Sequence, residues 1–263
     1  MDDDTIGDAA TELLDMRATR RVVADLPVPL QPQTLGDAYA IQHRVVTGLL
    51  APTGGQRIGF KVACTNDIAQ AALQIDRPLF GRLMSQTTSP SGATLVADQF
   101  THRVVEAEFG FRVGVDVEPV DGGHTPETIA EHIDALIPAI ELVDHRFESW
   151  AVGALRVAAD NAIHGWWIHG EAVTDWRGHD LAAAAVSVTR NGELVTTGSG
   201  AAVLGDPLNV MAWLADELPR FGGQLRRGDV VTTGVATDVF EAAPGDSCVA
   251  DFGPFGTVTV SFA

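Results

Sequence analysis

The sequence predicts an α+β fold, with helices first and strands after them. Three observations lead there. Apolar residues at helical spacing dominate the first fifty positions. Alternating apolar runs broken by Gly-rich turns fill most of the rest. Regular strand–helix alternation, the mark of a parallel α/β sheet, does not occur. With 263 residues, of which 46% are hydrophobic, the chain has room for one large domain or for a domain and a smaller lobe. We expect a soft division near residue 75, separating an N-terminal helical/α+β lobe (1–75) from a β-rich domain (76–263).

Each element has a local reason. Residues 4–20 carry Ile6, Ala10, Leu13 and Leu14 on one helical face. Pro27, Pro29 and Pro32 break the chain, and Thr34 is placed to cap a second helix with Leu35, Ala38, Ile41, Val45 and Leu49 on one side. Residues 58–64 alternate as a strand, with Ile58, Phe60, Val62 and Cys64 on one face and Gly59, Lys61 and Ala63 on the other. A short helix is expected over 66–73, and a Ser/Thr/Pro loop over 85–92. Pro126 suits the first turn of a further helix. Asn191-Gly192 between two alternating runs predicts a hairpin over 186–196. Residues 210–218 read as a helix, and short strands separated by Gly turns complete the chain.

The stretch VVEAEFGFRV (104–113) carries the chemistry. Strand periodicity puts Val105, Ala107, Phe109, Phe111 and Val113 on one face and Glu106 and Glu108 together on the other. Like charges so placed need compensation. A solvated face with Arg112 nearby, a general acid/base pair with split pKa values, and a divalent cation are all consistent with them. Glu141, in IPAIELVDHRF (137–147), is a third acid inside an apolar strand-like run. No Cys-x-x-Cys or His-x-x-x-His spacing occurs, so oxygen ligands for Mg²⁺ or Mn²⁺ fit better than a zinc site.

The charge balance is acidic, 35 Asp+Glu against 17 Lys+Arg for a net −18, which argues against nucleic acid and anionic membranes as partners. An anionic substrate then needs a local cation. Two distant cysteines, Cys64 and Cys248, form no disulfide framework, no apolar signal core opens the chain, and no apolar run reaches a membrane-spanning length. A cytoplasmic location is expected.

In order along the chain, DAYAIQ (37–42), GFKVACT (59–65), RVVEAEFGF (103–111), IPAIELVDHR (137–146), ADNA (159–162), GSGAAVLGDPLNVMAWLA (198–215) and GDVVTTG (228–234) resemble the 2-keto-4-pentenoate hydratase branch of the fumarylacetoacetate hydrolase superfamily. The resemblance runs nearly end to end. It implies a mixed β-roll-like core, a homo-oligomer, and Mg²⁺ (or Mn²⁺) held by Glu106, Glu108 and Glu141. It implies Lys61 as the active-site lysine, with Thr65, Asn161 and Ser199 as substrate contacts. The implied reaction is hydration of a 2-hydroxy-2,4-dienoate to a 4-hydroxy-2-oxo acid in the catabolism of aromatic or related compounds. Decarboxylation of a 2-oxo-3-enoate, or C–C hydrolysis of an acylpyruvate, is open on the same site. So is a role as an accessory subunit beside a pathway partner enzyme. Two departures stand out. Leu79 occupies the place where related hydratases often carry an acid (Pro-Asp-aromatic-Gly), and Asp206 replaces the His of Gly-His-Pro. Read without the resemblance, Lys61 is an exposed strand lysine, Thr65 a helix cap, and Asn161 and Ser199 turn residues. His102, His145 and His164 are given no main role.

Overall fold

A computed structural model describes residues 1–263. Two helices open the chain, α1 (Asp3–Thr19) and α2 (Leu35–Leu50). The Asp2 carboxylate accepts from Thr5 N at 2.8 Å to start α1. Thr34 and Asp37 form a reciprocal capping box at α2, satisfying backbone donors that have no partner inside the helix. The two helices pack together through Ala9, Leu13 and Met16 on one and Ala38, Ile41 and Val45 on the other, all fully buried.

The remaining elements run β1 (Arg57–Ala63), α3 (Asp67–Leu73), β2 (Leu79–Met84), β3 (Thr88–Pro90), β4 (Ala93–Leu95), β5 (Val104–Val113), α4 (Pro126–Ala130), β6 (Ile133–Val143), α5 (Ala154–Ala159), β7 (His164–His169), β8 (Ala185–Arg190), β9 (Glu193–Ser199), α6 (Pro207–Glu217), β10 (Val230–Val235), β11 (Phe240–Glu241), β12 (Ser247–Asp251) and β13 (Thr257–Phe262). They build two mixed sheets. The larger has the order β2-β1-β10-β5-β6-β7-β3, with β11 also pairing with β5; the smaller has the order β4-β13-β12-β8-β9. The fold is α+β, with helices leading and strands dominating thereafter, as the pattern predicts.

The apolar face of β5 (Val105, Ala107, Phe109, Phe111 and Val113) is buried in one continuous core that extends from Ala9 in α1 to Phe262 in β13. The soft division near residue 75 leaves no mark on this core. Strand β1 lies inside the large sheet, antiparallel to β2 and parallel to β10.

Several local expectations are refined. The stretch 85–92 is not wholly a loop, because β3 pairs there with β7 as an edge strand, a position that tolerates the terminal Pro90. Strand β6 starts at Ile133 and carries Pro138 in its middle. The Pro138 carbonyl accepts from Gly170 N at 2.8 Å, just past the end of β7, so its nitrogen, on the same side, falls where that ladder stops. The hairpin between β8 and β9 turns on Asn191 (φ 54°) and Gly192 (φ 86°), both in the left-handed region that its two-residue turn requires.

One glycine decides a strand contact. A Cβ on Gly59 would lie 1.8 Å from the carbonyl oxygen of Val230 across the β1–β10 pair, and that oxygen is backbone that cannot swing aside. Gly59→Ala should therefore lower the urea unfolding midpoint, with a loss of about 1–3 kcal/mol. An unchanged midpoint would show that the two strands pack less closely than described.

Candidate metal centre and active site

Register brings the acids together. In the antiparallel β5–β6 ladder, Glu106 lies opposite Glu141, and Glu108 follows on the same face. Directly opposed strand residues sit a few ångströms apart, and one carboxylate oxygen from each of the three lies within 4.8 Å of the others. Glu108 and Glu141 are fully buried. Glu106 alone retains partial exposure, through the cavity it lines.

Strand β10, on the other side of β5, supplies donors. Thr232 Oγ1 and Gly234 N, the latter at 3.0 Å, both donate to Glu108 Oε2. Gly234 has φ 95°, and a Cβ there would meet the Thr65 hydroxyl at 2.0 Å, so only glycine lets the strand close over the site. Strand β1 supplies the cation. Lys61 is 1% exposed, with Nζ 3.2 Å from Glu141 Oε2. Glu141 Oε1 is held by a residue assigned no role from sequence: His164 Nδ1 lies 2.8 Å away, and its Nε2 lies 3.2 Å from Thr87 Oγ1. A ring donating from Nδ1 and accepting at Nε2 is a neutral histidine that orients the carboxylate. Burial, then Lys61, Arg17 and Arg146, hold His164 well below the usual histidine range, in keeping with that form.

Three acids face one ammonium, and the imbalance shows in their protonation. Burial, opposed by Lys61 and reinforced by Glu108 and Glu141, holds Glu106 well above the ordinary carboxylate range. Burial and then Glu141 push Glu108 up to about 8. Burial also raises Glu141, against the pull of Lys61. For Lys61, burial is the largest influence and pulls down, but Glu141, Glu106 and Glu108 together outweigh it and leave the ammonium above its ordinary value. Glu108 Oε1 is buried without a hydrogen-bond donor, and Glu141 Oε2 has only the Lys61 ammonium beside it. Unsatisfied buried carboxylate oxygens are costly. An oxygen-only donor set with surplus negative charge fits a hard dication such as Mg²⁺ or Mn²⁺.

A cavity of about 70 Å³ opens over Lys61 and Glu106, lined otherwise by Ala63, Leu73, Val143, Trp150 and Ile163 among mainly apolar side chains. Thr65 also lines it, with its hydroxyl buried and unpartnered. Cys64, at φ 61°, turns the chain out of β1. Burial pushes its thiol up to about 11, so it is no nucleophile.

Two expected substrate contacts are not brought to this cavity. Asn161 is fully buried, and its amide clamps β2, accepting from Arg82 N at 2.7 Å and donating to Arg82 O at 2.9 Å. Ser199 ends β9 in the smaller sheet, where its backbone N donates to Ala236 O. Arg146 is tied to Asp144 and Asp160 as a structural partner. Leu79 is fully buried opposite Ala63, and Asp206 caps α6 by accepting from Leu208 N.

Residues 60–263 match the family described as Fumarylacetoacetate (FAA) hydrolase C-terminal. The chain is 31% identical over 255 residues to the 2-keto-4-pentenoate hydratase of Paraburkholderia xenovorans, covering 97% of this chain and 94% of that protein. It is 31% identical over 231 residues to a 4-oxalocrotonate decarboxylase of Pseudomonas putida, covering 87% and 86%. Among solved structures, the 4-oxalocrotonate decarboxylase from Pseudomonas putida G7 complexed with magnesium and adipate superposes with a TM-score of 0.92 at 25% identity, over 100% of this chain and 99% of that one.

Two measurements test the cluster. Glu106→Gln or Glu141→Gln should weaken Mn²⁺ binding by about 100-fold or more, beyond the loss expected on removing a residue that merely supports a ligand, with the circular dichroism spectrum unchanged. Wild-type affinity in either variant would remove that residue from the site. Metal binding should also release protons. Carboxylates with raised pKa values, Glu108 at about 8 among them, carry protons at neutral pH that a dication displaces, so affinity rises with pH up to that value. Calorimetry in buffers of different ionisation enthalpy should register proton release at pH 7; none would contradict the assignment.

Proposed function

The chain belongs to the fumarylacetoacetate hydrolase family, and on that premise we propose that it is a divalent-metal-dependent hydratase, adding water to a 2-hydroxy-2,4-dienoate to give a 4-hydroxy-2-oxo acid. Glu106, Glu108 and Glu141 are the residues that hold Mg²⁺ or Mn²⁺. Once bound, the dication supplies Lewis acidity to the 2-oxygen and a positive charge for the substrate carboxylate.

The protein's own groups account for the rest. The dienoate gains a proton at C5 as its 2-hydroxyl becomes a 2-oxo group. Hydroxide equivalent from water then joins C4, and a proton joins C3. Lys61 is the group that moves protons over the cavity. Burial draws its ammonium down, Glu141, Glu106 and Glu108 outweigh that pull, and Lys61 is left protonated as a proton donor facing the cavity. The free Thr65 hydroxyl is a donor for a substrate oxygen or for the attacking water. His164 keeps Glu141 from rotating. The apolar walls exclude bulk water and strengthen the charges inside. In a chain of net charge −18, this site gives a small anion its local cation.

The observation that carries this reading is the cavity lining. It is small and mainly apolar, and Lys61 is its only cationic side chain. It suits a substrate with one carboxylate and a short apolar tail. A second reading, decarboxylation of a 2-oxo-3-enoate, is favoured by two points: the close likeness over the whole chain to a decarboxylase structure, and the buried apolar Leu79 where related hydratases often carry an acid. A homo-oligomer and a pathway enzyme that supplies the dienoate complete the proposal.

Purified protein with Mg²⁺ should consume the ultraviolet absorbance of 2-hydroxypenta-2,4-dienoate and form 4-hydroxy-2-oxopentanoate without releasing CO₂. CO₂ release from a 2-oxo-3-enoate dicarboxylate, with the monocarboxylate untouched, would favour the decarboxylase. Lys61→Ala should lower turnover by about 10²–10⁴-fold and change Mn²⁺ affinity far less. Unchanged turnover would leave Lys61 a structural counter-ion of Glu141.

A further inference from the structure

Strands β1 and β2 have a second face. Their register sets Phe60 opposite Arg82 and Val62 opposite Phe80, while Lys61 and Gly81 point the other way, toward the acids. Against that back face, under α2, lies a cleft of about 890 Å³. It is much larger than the cavity over the metal centre and shares no lining residue with it.

Its chemistry runs against the rest of the molecule. In a chain with twice as many acids as bases, this cleft is lined by Arg57, Arg82, Arg226 and His43, with no aspartate or glutamate among its walls. The floor is aromatic: Tyr39 stacks on Phe80 with ring centroids 4.0 Å apart, and Phe221 meets Tyr39 edge-on at 4.5 Å. Two of the arginines are committed elsewhere, Arg57 to Asp229 and Arg226 to Asp116, each at 2.9 Å. Arg82 is not. Its Nη1 donates to the neutral Gln42 side chain, and no carboxylate pairs with it. The deeply placed arginines Arg17 and Arg146, by contrast, each hold an aspartate. A half-buried guanidinium without a counter-ion is costly to keep, and its fork of donors matches a carboxylate. Burial first, and Arg57 beside it second, pull Arg82 down to about 10, as expected of a cation short of an anion.

We propose that this cleft is a second ligand site, which binds a small organic carboxylate with an apolar body, the carboxylate on Arg82 and the body against Phe221 and Leu50. It is independent of the reaction assigned to the metal centre. The test titrates benzoate into the full-length protein by calorimetry, with metal removed by chelation, and repeats the titration on Glu141→Gln. Both should bind benzoate saturably, one per chain. Arg82→Met should weaken binding by about tenfold or more, Phe221→Ala should weaken it too, and benzyl alcohol, which has no charge, should not compete. If Arg82→Met fails to fold, as judged by circular dichroism, Arg82→Lys and Phe221→Ala carry the test. The proposal is overturned if wild type does not bind benzoate, if binding survives the Arg82 and Phe221 changes, or if it disappears in Glu141→Gln, which would assign it to the metal centre.

Discussion

Across the β5–β6 ladder Glu106 faces Glu141, and Glu108 shares their side of the sheet. Three carboxylates in this enclosure can be ionised together only with more positive charge than Lys61 brings. Burial first, and for Glu106 and Glu108 their carboxylate neighbours, raise the protonation of the three; the acids in turn hold the lysine above its usual value, and Glu108 Oε1 is left buried without a donor. Burying ions in this way does not stabilise a fold, because the desolvation cost rivals or exceeds the attraction gained. The arrangement makes sense as a binding site whose missing charge is a dication.

The scaffold answers to that constraint. The acids sit on strands in the middle of a large sheet rather than on loops, so their separations are set by register. Neighbouring strands supply the orienting contacts: Thr232 and Gly234 from β10, Lys61 from β1, His164 from β7. The same strands press their opposite faces into the core, which links the geometry of the site to the packing of Phe60, Phe109 and Phe111. Three successive residues in the left-handed region, Asn161, Ala162 and Ile163, set the entry to β7, and Asn161 is clamped to β2. Backbone held in that region is uncommon outside glycine. Here it delivers His164 to the carboxylate.

Local physics was legible wherever a pattern of a few residues sufficed. The alternation in β5, the Thr34 cap and the Asn191-Gly192 turn all fall where the sequence places them. Strand periodicity also put Glu106 and Glu108 on one face. The meeting of Glu141 with them depends on pairing between strands more than twenty residues apart, which no local pattern encodes; the family resemblance implied it. His164 is given no main role from sequence because its role arises from that pairing and from the unusual backbone before it. Asn161 and Ser199 mislead for the converse reason: they belong to recognisable motifs, yet Asn161 serves the backbone of β2 and Ser199 ends a strand of the other sheet. The short strand β3 was hidden by Ser, Thr and Pro residues that edge strands accept and loops favour.

The proposed metal centre requires the three glutamates to hold one hard dication. Anomalous scattering from a crystal grown with Mn²⁺ tests it most directly. A single peak is expected within coordination distance of oxygens from Glu106, Glu108 and Glu141. Carboxylates found splayed apart, or close together with no peak between them at saturating metal, would contradict it.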